Sequence, residues 1–173
     1  MSRTPDPGAA RTYALPIEQW HALGQSGDVI PVTICLEGDS MRPLVRRGRD
    51  RVTIIPLNRP LRTGDIVLFR GGPKRYVVHR VYRLRGGMVQ TLGDNCYSPD
   101  PWMPLEDVWG LVIRLERGGR TFLLDTRASR AWGRAWMAVH PVRIFLRRCR
   151  RLAGRCVRKL LGKTAKGGGG HGN

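Results

Sequence analysis

Nowhere in the 173 residues does an uninterrupted apolar run approach the roughly 20 residues that a membrane-spanning helix requires. The stretch from Met1 to Leu23 is broken by Pro5, Pro7 and Pro16 and lacks the apolar centre of a secretory leader. Cysteine is scarce, and Cys35, Cys96, Cys149 and Cys156 form no CxxC pair and no Cys/His spacing suited to zinc. Buried or incidental thiols in a reducing compartment are the expected state, with no metal and no cofactor. These absences predict a protein in the cytoplasm, or one peripheral on the inner face of the membrane. Lysine is also rare: Lys74 is the only one before Lys159.

Acidic residues are missing from one whole region. From Thr126 to Asn173 there are 13 Lys and Arg and no Asp or Glu, within a formal net charge of +18. The remainder holds 18 bases against all 13 acids, an ordinary balance for a folded domain. The C-terminal third is therefore a polycation, and such a block seeks a polyanion, either a phospholipid surface or nucleic acid.

Against these absences stands a dense run of short β-type segments punctuated by turn residues. Strands are expected at Pro31–Leu36, Arg51–Pro56, Asp65–Arg70, Tyr76–Arg83, Met88–Leu92, Val108–Leu115 and Thr121–Leu124. Between them lie Arg62-Thr63-Gly64-Asp65, Gly71-Gly72-Pro73, Gly86-Gly87 and Gly118-Gly119, all with turn chemistry. The pattern predicts a mainly β domain, a folded-over sheet or partly closed barrel, rather than βαβ units. Residues 1–28 form an N-terminal extension with a short amphipathic stretch, Ile17 to Leu23, too short for a helix-turn-helix DNA reader. Residues 29–125 form the β domain and 126–163 a basic helical segment, and the Gly-rich residues 164–173 are expected to be disordered.

Three segments of the β domain carry candidate chemistry. Glu37-Gly38-Asp39-Ser40-Met41-Arg42-Pro43-Leu44 presents a serine just after a strand; Tyr76-Val77-Val78-His79-Arg80-Val81 puts a histidine inside one; Leu92-Gly93-Asp94-Asn95-Cys96-Tyr97-Ser98-Pro99-Asp100 closes a third. A serine hydroxyl needs a neighbour to take its proton before it can attack a carbonyl. Histidine suits that task at neutral pH, and a carboxylate on its far nitrogen sets the tautomer and stabilises the imidazolium.

In order and spacing these segments resemble the signal peptidase and LexA-like serine peptidase superfamily. The resemblance rests on Ser40-Met41-Arg42-Pro43, Gly64-Asp65-Ile66-Val67, His79-Arg80-Val81 and Gly93-Asp94-Asn95, and covers roughly Ile34 to Arg114. His79 followed by Arg80-Val81 is similar to the endoplasmic-reticulum and archaeal branch, which uses a Ser-His pair. Lys74 lies outside the position at which other branches carry a lysine base. The resemblance implies a serine endopeptidase with Ser40 as nucleophile, His79 as base and Asp100 as orienting carboxylate. Asp94, more a turn-former, remains a second candidate for that last role. It also implies a protein or peptide substrate, bound in extended form with small side chains beside the cut. Gly38 stands where signal peptidases often have a hydroxyl, leaving backbone N–H groups around Ser40 to form the oxyanion hole. The alternative is a peptidase-fold module without hydrolysis, binding membrane or nucleic acid through its basic tail.

Beyond Ala128 the period changes. Trp132, Ala135/Trp136, Val139, Val142, Phe145/Leu146, Cys149, Leu152/Ala153, Cys156/Val157 and Leu160/Leu161 recur every three or four residues between arginines. Pro141 is expected to divide this pattern into helices Ser129–His140 and Val142–Leu161. Aromatics and leucines on one face with arginines on the other describe a helix lying in a lipid headgroup layer, and an anionic membrane surface is the expected partner ahead of nucleic acid.

Overall fold

The computed structural model describes residues 16–146 and Cys149, except Asp28 and Lys74. Lys74, the Gly-rich tail and most of the expected helix Val142–Leu161 thus lie outside the described residues. The chain divides into two compact units, Met1–Met137 and Ala138–Asn173.

The first unit is built on one antiparallel sheet. Its strands are β1 (Val32–Cys35), β2 (Arg51–Pro56), β3 (Ile66–Gly72), β4 (Arg75–Arg85), β5 (Met88–Leu92), β6 (Met103–Pro104), β7 (Val108–Arg117) and β8 (Arg120–Leu123). Their order is β1-β2-β7-β3-β4-β5-β6, with β8 folded back on β7. The expected partial closure into a barrel does not occur. Closure needs the two end strands to pair, and the ends here are a four-residue and a two-residue strand at opposite limits of the order. β6, only two residues long, carries no alternating apolar pattern by which the sequence could mark it. The other strands fall where turn residues delimit them. Gly86-Gly87 and Gly118-Gly119, all at positive φ, make the two tight hairpins β4–β5 and β7–β8.

Consecutive residues of β3 enter different cores. Ile66 and Leu68 join Trp20, Met41, Val45, Val52, Ile54, Val78, Val112, Leu115 and Leu124, while Val67 and Phe69 join Val81, Val89, Val108 and Leu111. A strand buried on both faces cannot alternate apolar with polar, and Ile66-Val67-Leu68-Phe69 indeed reads as an unbroken apolar run. Helix α1 (Ile17–Gln25) closes the first core with Trp20, whose indole N–H donates to the Ile30 carbonyl at 2.7 Å.

Helix α2 (Arg127–Ala138) covers another part of the unit through a stripe of Arg130, Gly133 and Met137. Spacing of three and four puts these residues on one helical face. In the second unit, residues 140–146 are helical.

Candidate active site

β4 carries His79 in its buried middle, and β5 runs antiparallel beside it with Arg80 opposite Leu92 and Val81 opposite Thr91. The chain then leaves β5 through Gly93-Asp94-Asn95-Cys96 and returns, so that the Asp100 N–H donates to the Thr91 carbonyl at 2.8 Å. This return puts Asp100 against the histidine: His79 Nδ1 and Asp100 Oδ2 are 2.7 Å apart. The same carboxylate oxygen accepts from the Thr91 hydroxyl at 2.6 Å, and the Gln90 amide donates to the Asp100 carbonyl at 3.0 Å. Thr91 is fully buried. Neither Thr91 nor Gln90 stood out in the sequence; the signal they offer is a polar pair inside a buried strand that faces the histidine strand.

Asp94, the other carboxylate considered, is occupied elsewhere. Arg80 grips it bidentately, with Nε to Oδ1 and Nη2 to Oδ2 both at 2.9 Å, and Arg80 Nη1 donates to the Gly64 carbonyl at 2.9 Å. Both side chains are almost wholly buried. The pair welds the end of β5 to the turn before β3, and Asp94 is not the partner of His79.

Ser40 opens the turn that follows β1. Met41 and Val45, both buried, anchor that turn in the first core, and the Val45 N–H donates to the Met41 carbonyl at 2.9 Å. Asn95 ties the turn to the loop beyond β5, donating its backbone N–H to the Ser40 carbonyl at 2.7 Å and its amide to the Asp39 carbonyl at 3.1 Å. The exposed Asp39 carboxylate faces Arg42 across 3.7 Å, so its charge is partly offset and solvated.

The two halves meet across Gly93. A Cβ there would lie 2.9 Å from both His79 Nε2 and the Ser40 carbonyl oxygen, and 2.5 Å from Cys96 Sγ. Any side chain at this position would force the serine turn away from the imidazole. Ser40, His79 and Asp100 also line one cavity of about 1100 Å³, together with Ile34 and Leu36 from β1 and its exit and Tyr97 from the loop.

His79 Nε2 lies 3.9 Å from Cys96 Sγ. Among the described residues no hydrogen bond joins the Ser40 hydroxyl to the ring. The motif Gly93-Asp94-Asn95-Cys96 contained this thiol, but its spacing alone carried no role. Burial is the largest single influence on the ring and disfavours its charge. The hydrogen bonds to Asp100 and Cys96 outweigh it and raise the His79 pKa to about 9. For Asp100, burial again is the largest influence and favours the neutral acid, but the bonds from His79 and Thr91 hold the carboxyl below its ordinary range. The resting state near neutrality is thus an imidazolium–carboxylate pair with its outer N–H toward the cavity.

Among the described residues no group of His, Cys, Asp and Glu is arranged to hold a metal ion, and no helix is long and apolar enough to cross a membrane. No family model and no curated protein matches the chain.

Proposed function

We propose that the first unit is a serine endopeptidase of the signal-peptidase and LexA-like type, acting through Ser40, His79 and Asp100. The observation that carries this reading is the 2.7 Å contact between His79 Nδ1 and Asp100 Oδ2, in a cavity that Ser40 also lines. A histidine held by a carboxylate on one nitrogen and open to a serine-lined cavity on the other is the constellation that activates a hydroxyl. The order of Ser-Met-x-Pro, Gly-Asp-Ile-Val, His-Arg-Val and Gly-Asp-Asn segments supports the same reading.

In this mechanism the neutral ring takes the Ser40 proton on Nε2 as Oγ attacks a peptide carbonyl. Asp100 stabilises the imidazolium that results. The ring then gives that proton to the departing amine, leaving an acyl ester on Ser40, and a water activated by the same nitrogen cleaves it. Backbone N–H groups around Ser40 receive the oxyanion, a service worth on the order of 3 kcal/mol per donor in other hydrolases. The unpaired edge of β1 beside the cavity offers an extended peptide a strand to join.

A fluorophosphonate probe tests this directly. The full chain is expected to acquire the label on Ser40 and to lose it in Ser40→Ala, as read by intact mass and peptide mapping. Labelling indifferent to that substitution overturns the reading. One observation favours a second reading, a binding module of the same fold without hydrolysis: His79 Nε2 lies 3.9 Å from Cys96 Sγ, while among the described residues no hydrogen bond joins it to the Ser40 hydroxyl. Under that reading no label appears on Ser40 even in Cys96→Ala.

A further inference from the structure

The exposed apolar side chains of the C-terminal helical segment lie where the charge is most one-sided. Trp132, on the side of α2 away from its buried stripe, is 65% exposed. In the second unit Val139, Val142, Phe145 and Leu146 are all exposed, Phe145 to 65%. Steps of three and four through the helical residues 140–146 put Val142, Phe145 and Leu146 on one side. A helix packed only for its own domain would turn such a stripe inward, as α2 does with Met137. From Thr126 onward the sequence carries 13 bases and no acid.

Both properties have to be met by one occupant. A second copy of the chain, at +18, is repelled by the charge. Nucleic acid would neutralise the bases yet leave Val142, Phe145 and Leu146 in water. A bilayer with anionic headgroups accepts both: phosphates attract the bases, and the acyl boundary takes the apolar stripe.

We propose that the second unit, through Val142, Phe145 and Leu146, docks on the headgroup–acyl boundary of an anionic phospholipid bilayer. This surface stands independently of the peptidase reading.

The test is co-sedimentation of the full chain with vesicles of phosphatidylcholine alone and of phosphatidylcholine mixed with phosphatidylglycerol. Pelleting is expected with the anionic vesicles at an affinity at least about tenfold above that for the zwitterionic ones. The double substitution Val142→Ser with Phe145→Ser preserves net charge and is expected to weaken binding by about tenfold or more, the melting of the sheet unit being unchanged. Binding to anionic vesicles that ignores the double substitution and vanishes in high salt would identify a bare polycation and overturn the proposal. Tighter retention on duplex DNA than on anionic vesicles would do the same, as would no binding at all.

Discussion

At the scale of single residues, Asp100 controls what His79 can do. Its carboxylate receives the ring N–H on one side and the Thr91 hydroxyl on the other, so the imidazole is held in one orientation. In the proposed mechanism Asp100→Asn retains the shape but loses the charge opposite the imidazolium. The expected result is a fall in kcat of about 10³-fold with KM little changed, measured on a peptide substrate found by library screening. The raised pKa gives a second expectation. The base form of His79 is a minority at neutral pH, so kcat/KM should climb with pH and reach half its plateau near 9. Since the Cys96 thiol is one of the groups raising that value, Cys96→Ala should move the half-maximum to lower pH. The same titration bears on stability. A histidine whose folded pKa exceeds its unfolded value stabilises the fold fully below about 6.5 and loses that contribution as pH rises through about 9. Melting temperatures measured from pH 6 to 10 should decline over this window, and the decline should shrink in Asp100→Asn.

At the scale of elements, α2 belongs to the machinery of the site although it supplies none of its reacting groups. Gly133 leaves the helix backbone bare where the Arg80 guanidinium rests, and a Cβ at that position would stand 2.9 Å from Arg80 Cζ. Three residues on, the Trp136 indole N–H donates to the Asp94 carbonyl at 3.2 Å. The helix therefore presses on the Arg80–Asp94 pair from behind, while Asn95 ties the next residue of the same loop to Ser40 in front. Gly133→Val is expected to destabilise the unit by about 1–3 kcal/mol, the usual effect of forcing extra atoms into a filled site. Removing one partner of the buried pair, as in Asp94→Ala, should cost more, about 3–5 kcal/mol, because Arg80 is left charged and unpaired in the interior. Urea unfolding of both variants checks the order. An equal or larger effect from Gly133→Val would show that the helix contact, not the ion pair, is the dominant tie.

At the scale of the first unit, acid should undo a latch distant from the cavity. Asp50 is fully buried at the start of β2 and accepts from the Arg46 N–H at 2.8 Å, from Arg49 Nε at 2.7 Å and from Arg117 Nη2 at 2.7 Å. Arg117 ends β7 and also donates to the Leu44 carbonyl of the serine turn. Burial is the largest influence on Asp50 and favours the neutral acid, yet the hydrogen bonds from Arg117, Arg49 and the Arg46 backbone outweigh it and hold the carboxyl well below its ordinary range. A depressed folded pKa stabilises the fold above the ordinary carboxylate range and is lost as pH falls below it. Melting temperature should therefore fall steeply below about pH 4, and Asp50→Asn should flatten that fall while lowering the plateau above it.

Local chemistry was enough to read much of this protein. Apolar runs closed by Gly, Asp and Pro turns mark the strands of the sheet, and the spacing of Trp132, Ala135 and Trp136 marks a helix, because strands and helices are short-range consequences of pattern and turn residues. The serine turn and the histidine strand were visible for the same reason. Long-range contact decided the rest. Turn chemistry already sets Asp94 behind Asp100 as a partner for the histidine, and the tertiary structure adds the reason: Arg80 takes both oxygens of Asp94 while His79 meets Asp100. The open sheet follows from which strands become neighbours, a choice made by packing across dozens of residues. Thr91, Cys96, Gly133 and Trp136 acquire their parts because the folded backbone carries them to the loop between Gly93 and Asp100.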